Sequence, residues 1–112
     1  MTGKNPLGID EYTAVALKLY LQLPETPLKP SLNDKRTAET LYARGISISI
    51  LESALLLASS RRLARSPDMP ALSPIRSLAY FLPVIEEMLV SPIPDNYLGY
   101  LRRKLKSMSG RG

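Results

Sequence analysis

The chain contains no cysteine and no histidine in 112 residues. Lack of cysteine excludes a disulfide framework and a thiolate metal site. Lack of histidine removes the commonest general base and the commonest metal ligand. Only carboxylates could hold a metal, and Asp and Glu together number 10. There is no run of about 18 apolar residues of the kind a membrane-spanning helix needs. The first residues, MTGKNPLG, lack the basic-then-apolar pattern of a signal peptide. A soluble cytoplasmic protein is expected, with no cofactor and no membrane partner. Motifs of the zinc-protease, phosphate-loop and Rossmann kinds are missing. The serines have no histidine to activate them, and the neighbouring carboxylates Glu86 and Glu87 would point about 100° apart on a helix. The expectation is a protein that is not an enzyme, with no small-molecule substrate identified.

The length suits one domain, residues 1–112, with a real though small core. The formal net charge is +5, and it is unevenly placed. Residues 1–56 balance six basic against six acidic side chains, whereas residues 57–112 hold nine basic and four acidic. The excess falls in two groups: Arg61, Arg62 and Arg65, then Arg102, Arg103, Lys104, Lys106 and Arg111. A basic half permits polyanion binding without requiring it.

Helical spacing dominates the pattern. Residues 1–9 read as a flexible lead-in, with Asp10 as cap for a helix over residues 11–23, where Tyr12, Val15, Ala16, Leu19, Tyr20 and Leu23 share a face. Pro24 ends it, and three prolines keep residues 24–32 non-helical. A second helix is expected from Asn33 or Asp34 to Arg44, with Gly45 at the left-handed position after its end and Ile46 packing back. The third helix starts at a Ser47 cap, or at a Ser49–Glu52 capping box, and runs to about residue 65. Its apolar side holds Ile50, Leu51, Ala54, Leu55, Leu57 and Ala58. Ser49, Glu52, Ser53, Ser59 and Ser60 lie opposite, interrupted by Leu56. So broad an apolar face needs several neighbours, which makes this the central helix. Ser73-Pro74 signals the start of a fourth helix, kinked or broken near residues 80–82 by Pro83. Asp95 caps a last helix over residues 96–108, where Tyr97, Leu98, Leu101, Leu105 and Met108 can pack, and residues 109–112 form a frayed tail. The fold expected is all-α, a compact orthogonal bundle of about five helices containing a helix-turn-helix-like hairpin over residues 34–65.

A helix-turn-helix suggests DNA, but its exposed early positions here are Ser49, Glu52 and Ser53, not the Arg, Lys, Asn or Gln that read base edges. A buried core hairpin is the plainer account. Phosphate contact falls instead to Arg61, Arg62, Arg65, Arg102, Arg103, Lys104 and Lys106. For these too a bland account exists, since cations at helix C-termini offset the dipole and long stems cover apolar neighbours. Tyr80-Phe81 and Tyr97/Tyr100 could stack on bases, although tyrosine at helical spacing more often belongs to the core or its rim.

Two stretches, LYARGISISILESALLLASSRRLAR and SPIRSLAYFLPVIEEML followed by YLGYLRRKL, cover most of residues 38–105. They resemble helical tail regions of bacterial replication-initiator-like proteins found on plasmids and other mobile elements. The resemblance implies a bacterial, DNA-associated helical module, of the kind that can be a piece of a larger protein, with no catalytic residue. The expected partner is DNA, held mainly through its phosphates. The alternative is a helical protein-interaction domain, with a protein partner or self-association through Leu56 and residues 80–82.

Overall fold

The computed structural model describes residues 7–109, with side chains over residues 7–106. Of the frayed ending expected at residues 109–112, Ser109 is the last helical residue of the chain described; residues 110–112, with Arg111 of the second basic group, most of the expected lead-in and the packing of Met108 lie outside these limits. Five α-helices follow in order: α1 (Ile9–Leu21), α2 (Leu32–Ala43), α3 (Ile48–Leu63), α4 (Leu82–Val90) and α5 (Asp95–Ser109). A 3-10 turn, Leu78–Phe81, leads directly into α4. The fold is an all-α bundle, as the helical spacing predicts.

Local chemistry explains most helix ends. α1 starts two residues before its expected first turn, at Ile9, because the Glu11 carboxylate accepts the Gly8 N–H at 3.2 Å. Asp10 is thus inside the helix, not its cap. α2 also starts early. Ser31 Oγ accepts the Asp34 N–H at 3.0 Å, and Asp34 Oδ2 accepts the Ser31 N–H at 2.9 Å. This reciprocal capping box makes Ser31 the cap instead of Asn33 or Asp34. Gly45 has φ 76°, a conformation that glycine adopts without strain. There the Ile46 N–H reaches Leu41 O at 3.1 Å and the Gly45 N–H reaches Tyr42 O at 2.9 Å, closing α2 with the expected turn. Ser47, not Ser49, caps α3, its Oγ accepting the Ile50 N–H at 3.1 Å.

The expected helix start at Ser73-Pro74 does not form. Residues 71–77 carry no regular secondary structure. The Ile75 N–H donates to Glu25 O at 3.0 Å and Ile75 itself is buried, so this segment is tied to the connector after α1 before it can coil. The break near residues 80–82 is present, with Pro83 in the first turn of α4, where its missing N–H costs nothing.

α3 packs against α1, α4, α5 and the 3-10 turn, while α2 packs on α1 and the turn. The helix-turn-helix order is present, but α2 and α3 share no extended contact, so residues 34–65 are not a self-packed hairpin. The main core joins Tyr12, Ala16 and Tyr20 of α1 to Leu51, Ala54 and Leu55 of α3, with Phe81 and Ile85 behind. Tyr20 meets Phe81 edge-on at 6.1 Å and Tyr12 meets Tyr42 at 5.4 Å. Leu98, Leu101 and Leu105 of α5 are buried outside that cluster, where α5 lies along α3.

The expected polar side of α3 is the clearest correction. Ser53, Ser59 and Ser60 are buried, and Glu52 is only 20% exposed. A serine hydroxyl can return its hydrogen bond to its own helix. Ser53 does so, donating to Ser49 O at 2.9 Å. α3 can therefore be enclosed by neighbours on both sides.

Asp34 is 1% exposed. Besides closing the cap of α2, its Oδ1 accepts the Leu78 N–H at 2.9 Å, so one carboxylate starts both α2 and the 3-10 turn. Replacing it with alanine strands buried donors and should cost about 2–4 kcal/mol. Asp34→Asn, with only one acceptor oxygen, should fall in between; urea midpoints test the order. The hydroxyls of Tyr12 and Tyr20 are buried without partners among the described residues, and burial pushes both pKa values from the ordinary 10 up to about 12, the Asp34 charge adding to the effect at Tyr20. The native phenols stay protonated where the unfolded ones ionise. Stability is therefore fully present below pH 10 and is lost as pH rises through 12. Tyr20→Phe should change neutral stability by less than about 1 kcal/mol and flatten that alkaline limb.

Candidate functional site

The seven cations expected to hold phosphate separate into two places. Arg61 and Arg62 lie in the last turn of α3, and Arg65 follows its end. These three line one cleft of about 450 Å³ with Leu72, Tyr80 and Val84. Arg102 and Lys106 of α5 line a different groove of about 300 Å³, floored by Leu19, Leu23, Leu55 and Leu56. Arg103 and Lys104 line neither of them, and the two hollows have no lining residue in common. The separation follows from α3. Arg102 is held at Glu52, and Glu52 precedes Arg61 by nine positions, roughly 13 Å along the helix and half a turn around it.

Most of the arginines are engaged. Arg61 donates twice to Glu87, at 3.0 and 2.7 Å. Arg102 donates twice to Glu52, at 2.9 and 2.6 Å. Arg62, whose side chain is 8% exposed, donates to Glu25, to Tyr80 Oη at 3.0 Å and to Ser73 O at 2.8 Å. Arg65 donates to Pro70 O at 2.8 Å. Among the described residues, Arg103, Lys104 and Lys106 have no carboxylate partner. Lys104 instead sits over the Tyr100 ring, 5.7 Å from its centroid.

Glu86 and Glu87 diverge as their helical spacing requires. Glu86 pairs with Arg44 at 2.7 Å, and Glu87 pairs with Arg61. Hydrogen bonds from these guanidinium groups hold both carboxyls below their ordinary range. Burial disfavours the charge on Arg62, but its bonds to Glu25 and Tyr80 outweigh that penalty and leave it more firmly protonated. Glu25 has φ 66°, an uncommon backbone state for a side-chain-bearing residue. Its carbonyl holds Ile75 and its carboxylate holds Arg62.

Sequence reasoning missed Glu25, Glu52, Glu86 and Glu87 as the partners of these arginines. It also missed Leu19 and Leu23 as groove walls. Periodicity marked both leucines as apolar but could not show that α1 and α5 would stand apart over α3. Among the described residues, no group of three or more acidic side chains could hold a metal, and no helix is long and apolar enough to cross a membrane. No family model, curated protein or solved structure matches the chain.

The ion pairs make distinct contributions that can be measured. Because Glu86 and Glu87 have lowered native pKa values, the stability they add is present above the unfolded carboxylate value and is lost as pH falls through the native ones. Carboxyl NMR titrations should place both midpoints below 4.5, and added salt should raise them. Arg62→Ala should destabilise by about 1–2 kcal/mol, through lost packing of a side chain that is 8% exposed and loss of its hydrogen bonds, since the Glu25 carboxylate it leaves is 50% exposed and rehydrates. Arg103→Ala should stay within about 0.5 kcal/mol.

Proposed function

We propose that this chain is a non-catalytic, helical protein-interaction module that receives an amphipathic helix in the groove between α1 and α5. One observation carries this reading. α1 and α5 each pack on α3 but not extensively on each other, and the gap is floored by leucines. Leu56, the apolar residue that interrupts the serine side of α3, is among them and only partly buried. Leucine-floored grooves between helices accept the apolar stripe of a partner helix. The accessible charge at the rim is positive. In the Arg102–Glu52 pair the arginine is 54% exposed and the glutamate 20%, and Lys106 adds a second cation. The partner that fits has leucine-like anchors and an acidic flank.

A second reading, association with DNA, is supported by α5. Arg103, Lys104 and Lys106 lack carboxylate partners among the described residues. Tyr97 and Tyr100 stack at 5.6 Å and are each 44% exposed. In this reading the phosphate contacts lie on α5 and not on all seven cations, and the replication or mobile-element setting rests on the resemblance of the quoted stretches.

Fluorescence anisotropy separates the two. A labelled helical peptide of about 15 residues with a leucine stripe and an acidic flank should bind, its basic-flanked counterpart should not, and Leu56→Glu should abolish binding. Failure of both peptides at millimolar concentration would remove the groove reading. Mixed-sequence duplex and single-stranded DNA at low salt test the other. The expected result is micromolar-or-weaker binding that Arg103→Glu with Lys104→Glu reduces and Leu56→Glu leaves unchanged. The log–log salt slope should be about −3, for three phosphates neutralised.

A further inference from the structure

Independently of the groove, we propose that the cleft formed by Arg61, Arg62, Arg65 and Tyr80 binds a small phosphate monoester carrying a flat, apolar body. The cleft volume, about 450 Å³, lies within the range of small-molecule sites. Among the described residues its lining has three guanidinium groups and no carboxylate, although Glu87 and Glu25 hold two of those groups.

The arginines are fixed in advance. Glu87 grips Arg61 through both terminal nitrogens. Glu25, Tyr80 and Ser73 grip Arg62. Pro70 O takes one N–H of Arg65. Each guanidinium is a planar fork with more N–H donors than these contacts use. Arg61 and Arg65 therefore keep donors for an anion without giving up their present partners, and little side-chain entropy is lost when it binds. A phosphate monoester carries a charge of about −1.5 to −2 and three acceptor oxygens, which suits several guanidinium donors at once better than a carboxylate does.

The other wall accounts for the apolar body. Tyr80 is 44% exposed; Arg62 lies 5.4 Å from its ring centroid, and the Phe81 ring meets it in a T-shaped pair with centroids 5.1 Å apart. Leu72 and Val84 complete that side. A flat group could lie against Tyr80 and these side chains while its phosphate meets the arginines. Glu25, held at φ 66°, lines an adjoining hollow that shares Arg62, Arg65 and Leu72 with the cleft. Backbone strain of this kind tends to gather where a site must be held in place.

The test is NMR titration of the full chain at low salt with AMP, phenyl phosphate, inorganic phosphate and a 5′-hydroxyl single-stranded oligonucleotide. The expected result is that AMP and phenyl phosphate move the Arg Nε–Hε signals of Arg61 and Arg65 and the Tyr80 ring signals, with Kd at or below about 1 mM. Inorganic phosphate, lacking the flat body, should bind about ten-fold more weakly. Arg65→Ala loses only one carbonyl contact and should fold; it should weaken AMP about ten-fold by removing a charge-assisted donor. Val84→Phe, which narrows the cleft and keeps all three arginines, should weaken AMP and phenyl phosphate but not inorganic phosphate. The proposal is overturned if none of the esters binds at 10-fold above that Kd, if shifts appear only on α5, if both variants bind as the wild type does, or if the oligonucleotide displaces AMP from the cleft at equal concentration.

Discussion

The Asp34 carboxylate is the contact on which the arrangement depends. It is buried, and it ends two problems at once: the open N–H groups at the start of α2 and the Leu78 N–H at the start of the 3-10 turn. An uncompensated charge in that position would be costly, and hydrogen bonds from backbone N–H groups are what make it tolerable. The consequence is geometric. Chain segments 44 positions apart are joined at one side chain, which seats Leu78 and Phe81 in the core beside Tyr20 and sends α4 out along α3.

A second set of charges fastens the outside. Arg44–Glu86 and Arg61–Glu87 tie α4 back to the rest, Arg62 ties the Glu25 bend to residues 73–80, and Arg102–Glu52 ties α5 to α3. Apart from that of Arg62, these pairs are exposed at the arginine and contribute little each. Their larger effect is on what the surface offers. Arginines whose charge is already answered add little to the long-range field that draws a nucleic-acid backbone, although their unused N–H donors can still meet an anion at close range. The basic excess counted along the chain is thus partly internal, and the cations left on α5 are fewer than the composition suggests.

The same packing creates the hollows. α3 is surrounded by four neighbours, but the neighbours do not all touch each other. Between α1 and α5 this leaves leucines partly open, and beyond the last turn of α3 it leaves a cleft between α4 and the 66–77 segment. Neither needs a special sequence motif. Both come from helices of ordinary length meeting a longer central one.

The helical content, the glycine stop at Gly45, a start of α3 at Ser47 or Ser49, the break before Pro83 and the central place of α3 were all legible in the residues, because propensity, capping and periodicity act within about four positions. The Ser31–Asp34 box left a local signal, a serine followed three residues later by an acid, but the proline-rich run of residues 24–32 read as connector and the cap was expected at Asn33 or Asp34 instead. The burial of Ser53, Ser59 and Ser60 was not legible, since a serine reads as polar by composition, whereas its small side chain fits between packed helices and its hydroxyl can bond to its own helix, as that of Ser53 does. Nor was the identity of each arginine's partner. Those pairs span 26, 37, 42 and 50 positions, and nothing local selects among ten acidic residues. The sequence by itself determined that the chain is a set of helices with a basic second half. Only the tertiary structure decided which of those charges are answered, which remain on the surface, and where two hollows open. Charge pairing and cavity shape depend on how whole helices are placed against one another.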